Sequence, residues 1–152
     1  PFGRKSYSII GYVLLGKIME CISPGNYLDR YNYYVFDPLN LQNTSVGKNN
    51  ISLYHNNRLI SEDQYLERYI GTTTGGLHSS ISDLLKFSKF PYYLNQESID
   101  ILKQLSDIYE ENDDKMIIKC TGDISGGKSS VIYTYNKNDY TVLDVDIKFK
   151  TN

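Results

Sequence analysis

The chain of 152 residues has no tryptophan, only two cysteines, two histidines and four prolines. With no C-x-x-C pair and no Cys/His cluster, a zinc site is not expected. No apolar run reaches the ~18 residues that a membrane-spanning helix needs. No long basic run occurs, and 16 basic against 18 acidic residues give a net charge of −2. Because nucleic-acid binding relies on clustered basic residues that neutralise phosphates, no nucleic-acid partner is expected.

Residues 122–129 read GDISGGKS, which matches the G-x-x-x-x-G-K-S pattern of a phosphate-binding loop. Such a loop joins a strand to a helix, whose N-terminal N–H groups hold the phosphate. The residues after Lys128 are instead β-branched and aromatic, among them Val131 and Ile132. The pattern therefore predicts a glycine-rich turn between two antiparallel strands. Nucleotide binding through GDISGGKS is kept as the third functional hypothesis.

Helix signals come first in the chain. Residues 8–22 carry apolar residues at a three-to-four spacing and on the remaining faces, which predicts a largely buried helix. Ser23-Pro24 predicts the start of a second helix, because serine is a good N-cap and proline suits the first helical position. Asp37-Pro38 closes that helix. Residues 40–75 are polar and predict a long loop with room for one irregular strand.

The second half of the chain moves from helices to strands. Ser80 to Asp83 predicts a capping box that opens a short helix, and a further helix begins near Asn95. EENDD at 110–114 predicts a solvated acidic loop. KMIIKC, SSVIYTYN and YTVLDVDIKF predict three strands, with a hairpin turn at 136–139 between the last two. Helices packed on an antiparallel sheet indicate an α+β fold, here as a single domain over residues 1–152.

Four stretches of the chain, in order, are similar to segments of one enzyme family. PFGRKSYSIIGYVLLGKIME (1–20) resembles P-G-x-x-F-x-Y-S-N-x-G-Y-x-L-L-G-x-I-I-E, and FDPLNLQNT (36–44) resembles F-x-P-L-G-M-x-N-T. GGLHSSISDLLKF (75–87) is similar to G-G-L-x-S-T-x-x-D-L-x-K-F, and CTGDISG (120–126) to H-T-G-x-x-P-G. These patterns are those of the serine β-lactamase and penicillin-binding protein family, especially its class C and small esterase-like members. The resemblance implies the C-terminal portion of that fold.

The resemblance also implies a chemistry. In that family, the serine of an S-x-x-K motif on a helix attacks a carbonyl carbon and forms an acyl-enzyme. That motif lies upstream of the segment this chain matches. An S-x-x-K of this chain, Ser125 to Lys128, falls in the glycine turn, and we reject it as the nucleophile. Tyr7 matches the family's general-base tyrosine, and Ile9 stands where the family has a substrate-binding asparagine.

The last block implies a substrate-binding strand. Cys120 stands at the family's His or Lys position, Thr121 and Gly122 match, and the backbone N–H of Asp123 falls at the oxyanion position. Lys119 is one residue early, so on a strand it would point to the opposite face. Both cysteines, Cys21 and Cys120, lie among apolar residues and are predicted to be buried structural thiols.

These residues lead to two further hypotheses beside nucleotide binding. The leading one is a fragment of an acyl-transfer hydrolase acting on a β-lactam, a D-Ala-D-Ala peptide or an ester, inactive as given because the nucleophilic serine is absent. The alternative is a non-catalytic binding or scaffolding module with a degenerate site, which Ile9 and Cys120 favour. The hydrolase hypothesis implies a small-molecule or peptide substrate and no cofactor or metal.

Two expectations concern partners and location. Without the family's N-terminal strands, a sheet edge would be exposed, and such edges pair with other chains, so a homo-oligomer is expected. The resemblance implies an extracytoplasmic location, although no signal peptide is present in this chain. Contact with a membrane surface is expected only through segments outside it.

Overall fold

The structure is a computed structural model that describes residues 6–46, 54–55, 58–61, 73–106, 108–124 and 127–151. Four α-helices lie in these ranges: α1 (Ile9–Ile22), α2 (Tyr27–Tyr31), α3 (Ile81–Phe87) and α4 (Gln96–Leu105). A π-helical turn (Asn32–Phe36) continues α2, and a 3-10 turn (Phe90–Tyr93) separates α3 from α4. No helix in the described ranges is long and apolar enough to span a membrane.

The main sheet has four antiparallel strands in the order β5-β6-β7-β8. Their bounds are β5 (Ile108–Glu111), β6 (Lys115–Ile124), β7 (Gly127–Asn136) and β8 (Val142–Thr151). Two small antiparallel ladders join β1 (Ser45–Val46) to β4 (Leu77–His78), and β2 (Tyr54–His55) to β3 (Arg58–Leu59). Helices followed by an antiparallel sheet confirm the predicted α+β class.

The core lies on one face of the sheet. Met116, Ile118, Tyr133 and Tyr135 are buried there, two residues apart on β6 and on β7, as expected for one face of a pleated sheet. Partly buried residues from the helices, the strands and the connection before β8 pack against them: Phe87, Leu102, Tyr109, Val131, Tyr140, Val142 and Val145. The helices α3 and α4 thus pack on the sheet through Phe87 and Leu102.

The first helix forms where it is predicted but is not largely buried. Ser8 caps α1, since its Oγ accepts a hydrogen bond from the Gly11 amide at 3.1 Å. Gly16 is the one buried residue of α1, and Cys21, predicted to be buried, is exposed. The exposed apolar side chains are Ile9, Ile10, Leu14, Leu15, Ile18 and Ile22. Periodicity predicts a helix, but it cannot tell whether the element that covers it belongs to the same chain.

The second helix begins three residues later than predicted. Ser23 is the C-cap of α1, and Asn26 is the N-cap of α2. The Asn26 side chain accepts from the Leu28 and Asp29 amides, and Asp29 accepts from the Asn26 amide, which completes a capping box. The buried guanidinium of Arg30 donates to Ser23 and to the carbonyls before the helix, so the turn between the helices is hydrogen-bonded.

The acidic stretch 110–114 is not a purely solvated loop. Its first two residues belong to β5, which the sequence did not predict and which pairs with β6 from Ile108↔Lys119 to Glu111↔Met116. The Glu111 carboxylate lies 2.7 Å from Lys137 Nζ and 3.3 Å from Lys103 Nζ, and it accepts a hydrogen bond from the Tyr109 hydroxyl. Hydrogen bonds from Lys137, Tyr109 and Lys103 together lower the pKa of Glu111 to about 2.

The cluster formed by Lys103, Tyr109 and Lys137 around the Glu111 carboxylate predicts an unusually low pKa for this glutamate. Carboxyl NMR titration should find the Glu111 midpoint at about 2, well below the ordinary glutamate value of about 4.3. Lys137→Ala should raise the midpoint toward that ordinary value, whereas Lys115→Ala, at a lysine outside the cluster, should not move it. Because the folded pKa lies below the unfolded one, this contribution to stability is present above about pH 4 and is lost as the pH falls toward 2. An unperturbed midpoint would contradict the cluster.

Candidate functional site

The four residues predicted to bind substrate lie in a row on β6. In the ladder with β7, Cys120 is opposite Val131, Thr121 opposite Ser130, and Asp123 opposite Lys128. The ladder between β5 and β6 ends at Lys119, one residue before Cys120. The segment 120–123 therefore begins at the step where the neighbouring strand β5 stops.

Cys120 is exposed, so the prediction of a buried thiol is wrong. Its alternation with Met116 and Ile118 puts it on the core face of β6, beyond the point where the core covers that strand. Burial is the main cause that raises the pKa of Tyr133, two residues along β7 from the residue opposite Cys120. Lys119 alternates to the opposite face, as predicted. Its side chain therefore lies on the face of β6 opposite that of Cys120.

A shallow depression of about 320 Å³ borders this segment. It is lined from β6 by Thr121, Gly122 and Asp123, and from β7 and β8 by Lys128, Ser129, Ser130, Lys148, Phe149 and Lys150. The lining brings three lysines and two serines beside the predicted substrate-binding strand. Cys120 and Tyr7 are not among the residues that line it.

Tyr7, the predicted general base, lies just before the N-cap of α1. Its side chain is 73% exposed, and its ring centroid is 5.6 Å from that of Tyr12. Tyr7 thus lies beside the helix start with its side chain largely exposed to solvent. Ile9, at the position of the family's asparagine, is the first residue of α1 and is also exposed.

The GDISGGKS stretch is a hairpin, as predicted. β6 ends at Ile124 and β7 begins at Gly127, with Ile124 opposite Gly127; Ser125 and Gly126 lie outside the described residues. A strand follows Lys128 where a phosphate-binding loop requires a helix. Lys128 pairs with the Asp123 carboxylate across the hairpin at 2.9 Å. The nucleotide hypothesis thus lacks its structural basis. Within the described ranges, no group of His, Cys, Asp and Glu is placed to hold a metal ion.

Two solved structures match the fold of this chain over nearly its whole length. They are crystal structures of D-amino acid amidase from Ochrobactrum anthropi SV3, one complexed with L-phenylalanine amide and the other with D-phenylalanine. The TM-scores are 0.66 and 0.63, the sequence identities 18% and 16%, and the matches cover 100% and 98% of this chain. The fold is that of penicillin-binding proteins and β-lactamases. The chain spans 51% of the length of each amidase. No family model and no curated protein matches its sequence.

Within this penicillin-binding-protein fold, a buried carboxylate joins two of the four sequence blocks. Asp83 in α3 is 0% exposed. It accepts from the Asn43 amide at 2.6 Å, the Thr44 hydroxyl at 3.0 Å and Lys86 Nζ at 2.9 Å. Burial alone would raise the pKa of the Asp83 carboxyl, but these hydrogen bonds together outweigh it and hold the pKa below its usual value. The sequence suggested only a capping role for Asp83, and the capping bond present runs from its amide to Ser80 Oγ.

The contact between α3 and residues 36–44 also accounts for one departure of that segment from the family pattern. Asn40 stands where the family pattern has glycine, and its φ is 55°. Glycine and asparagine are the residues that adopt this left-handed conformation most readily. The Asn40 carbonyl then accepts from Lys86 Nζ at 2.6 Å, which adds a second link to α3.

The first block is anchored to the segment that precedes β4. The Thr73 hydroxyl donates to the Tyr12 carbonyl in α1. Gly16 faces Thr73 so closely that an added methyl group would overlap its side chain. The matching residues of these blocks thus make contacts that stabilise the fold.

Proposed function

We propose that the chain is the substrate-binding half of an acyl-transfer hydrolase, which cleaves an amide or ester bond in a β-lactam, a D-Ala-D-Ala peptide or a small ester. The observation that carries the proposal is the position of Thr121-Gly122 on β6, which begins two residues beyond the end of the β5 ladder, in a fold matched over the whole chain. The matched structures hold an amino acid or its amide, which supports including amino acid amides among the substrates.

Each proposed role has a physical reason. A strand offers backbone N–H and C=O groups at fixed spacing, so an extended substrate can align along residues 120–123. The Asp123 N–H would donate to the oxyanion that forms when the carbonyl is attacked. Tyr7 would accept the proton of the attacking serine, because serine is a poor nucleophile without a neighbouring base. Cys120 would contact the substrate without attacking it.

The 152-residue chain is expected to form no covalent acyl adduct. The sequence has two S-x-x-K matches, which start at Ser45 and at Ser125. Ser45 lies in the strand β1 and not in a helix, and Ser125 lies outside the described residues, between the strands β6 and β7. Incubation with a chromogenic β-lactam, an acyl ester and D-phenylalanine amide, followed by intact-mass spectrometry, should leave the mass unchanged. A stoichiometric adduct on any residue of this chain would contradict that expectation.

A longer polypeptide provides the positive test. The coding sequence upstream of Pro1 should encode an S-x-x-K on a capped helix, and a polypeptide that includes it should form an acyl adduct on that serine. Tyr7→Phe should then slow acylation by about 10²–10⁴-fold, the usual contribution of a general base. The control Tyr92→Phe, at a similarly exposed tyrosine, should leave the rate unchanged. Absence of the motif, or acylation that is indifferent to Tyr7, would reject the proposal.

The second candidate is a binding or scaffolding module that keeps the fold. Ile9 and Cys120 favour it, because neither side chain can supply the hydrogen bonds of the amide and the cation that it replaces. In that case the longer polypeptide should form no adduct even with an S-x-x-K present. Restoring both positions with Ile9→Asn and Cys120→Lys should then bring back acylation.

A further inference from the structure

The long strands β6, β7 and β8 carry their charged residues on one face only. Successive residues of a strand alternate between the two faces of a sheet, and residues directly opposite in a ladder share a face. The register puts Lys119 opposite Ile132, which is opposite Asp146, on the face away from the core. By the same rule this outer face holds every lysine and aspartate of the three strands: Lys115, Lys119, Asp123, Lys128, Asp144, Asp146, Lys148 and Lys150.

The core face of the same strands is uncharged as far as the hairpin. Beyond Ile118 it continues on β6 with Cys120 and Gly122, and the residue opposite Gly122 on β7 is Ser129. Cys120, Gly122 and Ser129 are all exposed. The face on which the Cys120 side chain lies therefore presents a thiol and a hydroxyl beside the segment 120–123, while the lysines of the three strands lie on the opposite face.

The absence of a side chain at Gly122 makes room for the Ser129 hydroxyl. A methyl group added at residue 122 would come within 2.7 Å of Ser129 Oγ. The hydroxyl thus leans from β7 toward β6 and lies where a side chain of residue 122 would otherwise be. This position is on the same face as the Cys120 side chain, two residues along the strand.

We propose that Ser129 is a substrate-binding residue of the candidate site, and that Ser129 and Cys120 together select a carboxamide group of the substrate over a carboxylate. The proposal rests on the acyl-transfer function proposed above and narrows its substrates to neutral amides of amino acids and peptides. A hydroxyl both donates and accepts a hydrogen bond, so it complements a carboxamide, which carries N–H donors and a C=O acceptor.

A carboxylate fits this face less well. It only accepts hydrogen bonds, and it must give up strongly bound water when it enters a protein site. A lysine or arginine on the same face would compensate with a charge-assisted hydrogen bond. The strands β6, β7 and β8 offer a thiol and a hydroxyl there instead, so the loss of water by a carboxylate is not compensated by these strands.

The Ser129 hydroxyl lies within reach of a substrate on β6. The β5 ladder ends at Lys119, so an extended substrate would continue in its place along residues 120–123. Neighbouring strands lie about 4.8 Å apart. A substrate group that bends from this edge over the core face would meet the hydroxyl above Gly122, beside the thiol of Cys120.

Two substrates that differ only at the terminal group test the proposal. They are N-acetyl-D-phenylalanyl-D-alaninamide and N-acetyl-D-phenylalanyl-D-alanine, which share the bond to be cleaved. The longer polypeptide with the S-x-x-K serine should show a higher kcat/KM for the amide than for the acid. Intrinsic reactivity of each substrate is the same for every variant, so changes in the ratio of the two kcat/KM values report on the protein.

Two serine variants on opposite faces provide the main comparison. Ser129→Ala should lower kcat/KM for the amide about 3–10-fold, the contribution of one uncharged hydrogen bond, and lower that for the acid less. The matched control is Ser130→Ala, which removes the same group from the neighbouring residue on the outer face and should leave the ratio unchanged.

A cation at residue 120 should reverse the preference. Cys120→Lys should raise kcat/KM for the acid about 10–100-fold, the contribution of a hydrogen bond between charged groups. Cys120→Ser adds no charge and should not raise it.

The outcomes separate this inference from the function on which it rests. If neither substrate acylates the longer polypeptide, the acyl-transfer function fails and the inference fails with it. If acylation occurs but the acid is preferred, or Ser129→Ala and Ser130→Ala change the ratio equally, the role of Ser129 is rejected while acyl transfer stands. Circular dichroism should show the same secondary structure in both serine variants, and a loss of structure in Ser129→Ala alone would assign this serine to the fold.

Discussion

Tyr135→Ala is expected to lower the free energy of unfolding by about 3–5 kcal/mol, the range for removing a large buried aromatic side chain. Tyr135 is 1% exposed, and its ring centroid lies 6.1 Å from that of Tyr133. It is opposite Met116 on β6 and Val142 on β8, so it joins three strands of the sheet. Burial raises the pKa of its hydroxyl, which agrees with a ring removed from water. Domains of this size are stabilised by only about 5–15 kcal/mol, so the loss is large.

Chemical denaturation followed by circular dichroism measures this loss, and two matched variants guide its interpretation. Tyr92→Ala removes the same side chain from a position that is 69% exposed, so it should change stability by no more than about 0.5 kcal/mol. Tyr135→Phe keeps the ring and should cost no more than about 1.5 kcal/mol, the net value of one hydrogen bond. If Tyr135→Ala and Tyr92→Ala lower the free energy of unfolding by the same amount, Tyr135 is not part of the core.

The elements with strong local signals could be predicted from the sequence. The helix α4 begins where Asn95 predicts it, because the Asn95 side chain accepts from the Ser98 amide at 2.8 Å. The turn between β7 and β8 falls at residues 137–139, within the predicted hairpin. In both cases a few neighbouring residues form the hydrogen bonds that define the element, so the pattern is readable without knowledge of tertiary contacts.

The errors have a common physical cause. The strand β5 includes Glu110 and Glu111, which suggested a solvated loop, but pairing with β6 and the lysines around Glu111 stabilise it as a strand. Apolar periodicity suggested that α1 would be buried, and apolar neighbours suggested that Cys120 would be buried, yet burial depends on which other segments are present. A local pattern can predict an element, while its environment is decided by distant residues.

In the candidate site, too, the local structure could be predicted from the sequence and the environment of the residues could not. That residues 120–124 would form a strand followed by a turn could be predicted from residue type. The roles of Tyr7, Thr121, Gly122 and Asp123 came only from resemblance to a family, because a tyrosine or glycine has no distinctive spacing of its own. The structure places the strand residues beside the depression at the end of the β5 ladder, and Tyr7 at the start of α1.

Asp83 was the residue whose importance was least visible in the sequence, and its loss is expected to have the second-largest effect on stability. Asp83→Ala removes the acceptor of three hydrogen bonds from Asn43, Thr44 and Lys86. A buried amide that loses its acceptor costs about 1–3 kcal/mol, so the melting temperature should fall by roughly 5–10 °C. Asp100→Ala, at an exposed aspartate in α4, is the matched control and should lower it by far less.

The same carboxylate predicts a dependence of stability on pH. The pKa of Asp83 is lower in the folded chain than in the unfolded chain, where an aspartate titrates at about 3.9. The unfolded chain therefore binds its proton first, and the stabilisation is complete above about pH 5 and is lost as the pH falls through the folded pKa. Asp83→Asn cannot ionise, so the difference in melting temperature between wild type and this variant should be largest near neutral pH and shrink below about pH 4. A difference that stays constant from pH 7 to pH 3 would show that the charge of Asp83, as distinct from its shape, does not hold α3 to the segment around Asn43 and Thr44.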